Sequence, residues 1–285
     1  MRSILAVVTG SEMDRAVLDA AFAVGRSFAS RIEVFHPRYD PTLGVPLVGD
    51  GMMGFSLTDI MGTLEAQSRR QAERARQTFD AWRAERGVPA AEAEGVKGLC
   101  TLWRELTGAP SELVTLRGRL ADLIVIERPG HPEHDTSLIG ETALFDSGRP
   151  VLCAPAGASD TLPSRMAVLW NGSAQAARAV GDALPLLMRA ESVAVICLDE
   201  NGDLEGPSAA DLVDQLKLHG ARALAQSIQR GGDDEPVALL KAAMAFGAGL
   251  IVMGAYGHSR FRELILGGVT RHVLAHSTVP VLMAR

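Results

Sequence analysis

Short apolar runs that stop at glycine alternate along this chain with longer stretches of helical period. Ile4-Leu5-Ala6-Val7-Val8 breaks at Thr9-Gly10-Ser11, an alanine-rich helical pattern runs from about Met13 to Ala29, and a second strand, Arg31 to Phe35, follows. A Gly/Pro/Met-rich loop, Pro37 to Gly54, leads into a long polar helix from about Leu57 to Arg86. Its charges lie almost all round and read as a solvated face. A third strand near Glu92 to Gly98, a helix from Pro110 to Leu120, and the apolar runs Ala121 to Ile126 and Pro150 to Ala154 complete this half.

The second half repeats the plan, which makes the chain a duplication. Met166-Ala167-Val168-Leu169-Trp170-Asn171-Gly172-Ser173 restates the first strand and its Gly-Ser turn, and Ala248 to Met253 and Pro280 to Ala284 restate the last two runs. Between them lie a helix from Ala174 to Arg189, strands Ser192 to Ile196 and Ala221 to Gln229, and helices Ala209 to His219 and Pro236 to Phe246. Pro155 to Ser164 has linker composition, so the expected units are 1–156 and 163–285. Alternation of strand and helix implies an α/β fold in which each unit is a five-stranded parallel sheet with helices on both faces. Its ligands are expected at the carboxyl ends of the strands, where strand order reverses.

Composition narrows the function classes. The 285 residues suffice for two cores, and 47% hydrophobic with 22% charged residues is a globular balance. The net charge of −6 gives no attraction for nucleic acid or an anionic membrane. No apolar run approaches the ~18 residues of a spanning helix, and the first run ends too early for a signal peptide, so a cytoplasmic location is expected. Cys100, Cys153 and Cys197 are widely spaced, which fits core positions rather than a zinc site or a disulfide framework.

Candidate chemistry gathers near the C-terminus. The run Ala248 to Met253 ends at Gly254; two residues separate Gly254 from Gly257 and nine separate Gly257 from Gly267, after which Gly268-Val269-Thr270 opens a helix. Glycines let a backbone approach a ligand closely, and a helix start offers unpaired N–H groups, a combination suited to phosphate. Spacing by itself equally fits ordinary turn glycines.

The block Gly254-Ala255-Tyr256-Gly257, nine residues, Gly267-Gly268-Val269-Thr270, with the strand Val279 to Leu282 after it, resembles the C-terminal signature G-x-x-G-x9-G-[S/T] of the universal stress protein family. The resemblance covers nearly the whole chain twice and implies two tandem Rossmann-like (adenine nucleotide alpha hydrolase-like) domains, strand order 3-2-1-4-5. It implies a cytoplasmic stress-response factor binding ATP or a related adenine nucleotide, with magnesium, in the second unit only. It also implies that Val151 to Ala154 and Val281 to Ala284 pair as an intramolecular pseudo-dimer, with a further homodimer left open. The candidate set on that reading is Trp170, Asn171, Met253, Gly254, Gly257, His258, Ser259, Arg260, Gly267, Gly268, Val269 and Thr270.

Two departures point toward weaker binding. Gly268 stands where the family has Ser or Thr, with Thr270 two residues on as a substitute hydroxyl, and Asn171 stands where nucleotide-binding members carry Asp. In the first unit Thr9 takes the Asp place, Glu127 replaces the first glycine, Pro129 removes a donor, and Glu141 follows Gly140. Carboxylates there repel an anion, so no nucleotide is expected. Catalysis has little support: there is no G-x-S-x-G elbow, P-loop lysine or H-E-x-x-H, and Ser11 and Ser173 read as helix caps. At most weak ATP hydrolysis fits. The competing class is a non-nucleotide interaction or small-ligand protein on the same tandem scaffold.

Overall fold

A computed structural model describes residues 1–44, 54–91, 98–129, 137–198, 206–255 and 268–285. The first half runs β1 (Ser3–Val7), α1 (Asp14–Phe28), β2 (Arg31–Tyr39), α2 (Gly54–Arg86), β3 (Cys100–Gly108), α3 (Pro110–Gly118), β4 (Leu123–Glu127), α4 (Ser137–Asp146) and β5 (Val151–Ala154). The second runs β6 (Arg165–Leu169), α5 (Ala174–Leu187), β7 (Ser192–Leu198), α6 (Ala209–Leu218), β8 (Ala223–Ile228), α7 (Glu235–Phe246), β9 (Leu250–Gly254), α8 (Gly268–His276) and β10 (Val281–Ala284).

The strands form one ten-stranded sheet in the order β3-β2-β1-β4-β5-β10-β9-β6-β7-β8. Each half is thus 3-2-1-4-5, all parallel within itself, as expected. The halves meet through β5 and β10, which pair antiparallel with Leu152 opposite Leu282. Each end strand covers the other's edge and leaves no open ladder at the seam. The side chains of Arg128 and Arg285 reinforce it: Arg128 donates to the Ser277 carbonyl at 2.7 Å, and Arg285 lies 4.0 Å from the Phe145 ring centre.

Because side chains alternate across a strand, each face of the sheet carries its own core. One contains Ile4, Ala6, Val168 and Leu282 under helices α1, α2, α5 and α6; the other contains Leu5, Val7, Leu169 and Val281 under α3, α4, α7 and α8. On α2 the residues Ala72, Ala75, Phe79 and Trp82 form a buried stripe, and Trp82 Nε1 donates to Asp19 at 2.8 Å. Exposed positions of the helix carry i,i+4 pairs such as Arg76 with Asp80.

Two boundaries differ from those expected. The expected third strand near Glu92 to Gly98 lies largely outside the described residues, and the strand is Cys100–Gly108. It is an edge strand, exposed over Glu105 to Thr107, so polar residues break the apolar run that would have marked it. The second strand passes through Pro37, expected in the loop, because β1 ends opposite Phe35 and β2 beyond that point pairs only with β3. A proline without an N–H is tolerated where one edge of a strand is free.

Candidate functional site

The carboxyl ends of β6 and β9 lie side by side, with Leu169 opposite Met253, at the point where strand order reverses. Helix α5 starts directly after the β6 turn. Its cap is Ser173, whose Oγ accepts from the Ala176 N–H at 3.2 Å, which satisfies one of the open donors of the first turn.

Asn171 organises that turn. Its Oδ1 accepts from the Ser173 Oγ at 2.7 Å and from the Ser173 N–H at 3.2 Å, so the acceptor expected to face a nucleoside is already engaged. Asn171 is exposed, whereas Trp170 is buried and its indole N–H donates to the Pro207 carbonyl at 2.8 Å. Met253 is likewise a core side chain.

Gly254 has a different reason from the one the spacing suggested. A Cβ there would stand 2.4 Å from the Ala176 nitrogen and 2.7 Å from the Gln175 carbonyl carbon. The glycine lets the end of β9 touch the backbone of the first turn of α5, so packing requires it whether or not a ligand is bound.

Helix α8 opens at Gly268, where a Cβ would meet nothing within 4 Å. The N–H groups of its first turn, from Gly268, Val269 and Thr270, therefore start at an open position. Val269 is partly buried against the core, and Thr270 is 3% exposed, so its hydroxyl lies within the fold rather than at the open position. Gly257, His258, Ser259, Arg260 and Gly267 lie outside the described residues. The structure thus brings together Asn171, Gly254 and the start of α5, while α8 starts on the opposite face of the sheet.

The corresponding end of the first half is filled with acid. Glu127 is 3% exposed and its Oε2 accepts from the Ser11 Oγ at 2.6 Å; Asp14 is 1% exposed. The Asp14 carboxylate accepts the N–H groups of Thr9 at 2.8 Å and Gly10 at 2.9 Å. Burial pushes Asp14 up to about 7, with the Glu127 charge adding to it against the pull of the backbone donors. Ser11 is therefore not the cap of α1 as expected: its Oγ donates to Glu127 and accepts the Met13 N–H at 3.2 Å, and the cap position is Met13, without a side-chain bond. Glu141 is exposed, and Gly130 lies outside the described residues. Asp14 escaped sequence reasoning because an acid in the first turn of a helix is ordinary there.

Other chemistry is thin. Among the described residues no group of three or more His, Cys, Asp or Glu is placed to hold a metal, and no helix is long and apolar enough to cross a membrane. His272 and His276 stack on each other with centres 4.1 Å apart, and the His276 Nδ1 lies 2.9 Å from the His272 carbonyl.

Residues 164–285 match the model of the universal stress protein family. No curated protein matches the chain. Among solved structures, a universal stress protein from Archaeoglobus fulgidus DSM 4304 is 19% identical, with a TM-score of 0.68 over 99% of this chain and 98% of that one. A putative universal stress protein from Pseudomonas aeruginosa UCBPP-PA14 is 13% identical, with a TM-score of 0.55 over 100% of this chain and 93% of its own. A functionally unknown protein from Pseudomonas aeruginosa PAO1 is 12% identical, with a TM-score of 0.56 over 100% and 92%. At these identities the likeness is one of fold, and it extends over both halves.

Proposed function

We propose that this chain, whose residues 164–285 match the model of the universal stress protein family, is a tandem cytoplasmic stress-response factor that binds ATP or a related adenine nucleotide in its second unit. The units are 1–156 and 163–285, and the first takes no nucleotide. What supports the reading is the start of α8 at Gly268, which has no described atom within 4 Å of an added Cβ and, because α8 joins the parallel strands β9 and β10, lies on the carboxyl-end side of the sheet. Helix N–H groups and a glycine-spaced loop suit phosphate oxygens without any cationic side chain. Gly257, His258, Ser259, Arg260 and Gly267 would complete the cradle, with magnesium on the phosphates.

A second reading is favoured by one contact. The Asn171 Oδ1 is committed to Ser173, which leaves the nucleoside end of the site without the acceptor an Asp would supply. On that reading the scaffold holds a different small ligand or a protein partner. Thermal denaturation with ATP, with and without magnesium, separates the two, because a ligand of the folded state raises the melting temperature by mass action. A rise with ATP supports nucleotide binding; none at millimolar ATP, and no adenine released from the purified protein on denaturation, supports the second reading.

A further inference from the structure

In the first half, the two positions that are small in the second half are both acids. Counting from the Gly-Ser turn, Asp14 corresponds to Ala176, and at the strand end Glu127 corresponds to Gly254. We propose that Asp14 and Glu127 form a proton-binding site, in which the buried pair holds one proton at neutral pH.

The argument is a count of donors. The N–H groups of Thr9 and Gly10 donate to the Asp14 oxygens, that of Ser11 adds to them, and together they support one negative charge there. Glu127 has a donor for Oε2 in Ser11, but among the described residues its buried Oε1 has no partner, nor has the Thr9 Oγ1. A buried carboxylate oxygen with no donor is costly to charge, and a second charge beside the first adds repulsion. The site has donors for one charge and not for two.

No cation among the described residues offsets the second charge. Arg15 on α1 is engaged by Glu85 and Asp19; Arg128, next to Glu127, reaches the Ser277 carbonyl. On β2, His36 places its Nδ1 2.9 Å from the Val8 carbonyl, and burial lowers its pKa, which keeps it from supplying a charge. From β5 the ionisable group is the Cys153 thiol, which burial pushes up to about 12. Helix α2 meets the turn through the Gln71 backbone, against which a Cβ at Gly10 would stand 2.4 Å away.

The raised Asp14 pKa gives the sign. The folded chain holds this proton more tightly than the unfolded one, so the stability it contributes is complete below the ordinary aspartate range and is lost as pH rises through about 7. Carbon-13 detection of the Asp14 and Glu127 carboxyls in the full-length chain tests this between about pH 4 and about pH 9. The expected result is a midpoint near 7 in the wild type, falling by about one unit or more in Glu127→Gln. The melting temperature of the wild type should also drop relative to that variant as pH rises through the midpoint. Wild-type carboxyls that both titrate below about pH 5, or an Asp14 midpoint unchanged in Glu127→Gln, overturn the proposal. If Glu127→Gln does not fold, the wild-type titration decides alone.

Discussion

After β6, Ser173 caps α5, Asn171 braces Ser173, and the bare backbone at Gly254 rests on the first turn of the helix. After β1, the equivalent serine turns to Glu127, and Asp14 reaches back to the amides of Thr9 and Gly10. Helix α1 accordingly begins three residues after its serine, where α5 begins at the next residue. Both arrangements sit on the same strand order, because the ladders and the two cores are complete before the strand ends are reached. The scaffold fixes where a site can be, and the few residues past the strands fix what it contains.

Substitutions can break this contrast, beginning with the most severe. Gly254→Val forces a side chain into the Ala176 and Gln175 backbone and should cost about 3 kcal/mol, measured by urea unfolding. A loss under about 0.5 kcal/mol would show that β9 and α5 do not need this contact. The seam gives an internal control: Leu152 and Leu282 face each other there, with exposures of 3% and 0%. Leu152→Ala and Leu282→Ala should each cost about 2–3 kcal/mol, and a marked difference between them would show that the halves contribute unequally to the joint.

Gly268→Ser acts on the site without disturbing the described fold, since no described atom lies within 4 Å of the added Cβ. Under the nucleotide reading the new hydroxyl should tighten ATP binding by about 1.5 kcal/mol, or roughly tenfold, by calorimetry. An unchanged or absent affinity would favour the non-nucleotide reading. The smallest effect concerns the caps. Ser173→Ala should cost about 1 kcal/mol at every pH, whereas Ser11→Ala should show a cost that varies with pH, because the hydroxyl it removes serves Glu127.

The apolar runs and the repeat made the parallel strands and the duplication legible, because strands buried on both faces must be continuously apolar, whereas the pairing of the end strands came from the resemblance. The edge strand Cys100–Gly108 was hidden by its own exposure, and the course of β2 through Pro37 depended on where its neighbour stopped. Asn171 was visible as a departure from the family, but its bond to Ser173 was not. Gly254 was noticed for the right residue type and the wrong neighbour: a glycine that admits a phosphate and a glycine that admits a helix backbone look alike in sequence.

The order of residues alone determined that the chain folds as two copies of one α/β plan, since hydrophobic period is a local property that survives duplication and drift. Only the tertiary structure decided that Asp14 and Glu127, which are 113 positions apart, are buried at one strand end with hydrogen-bond donors for a single charge. Burial and the count of donors around a group depend on what the fold packs beside it, and neither is written in the spacing of the residues themselves.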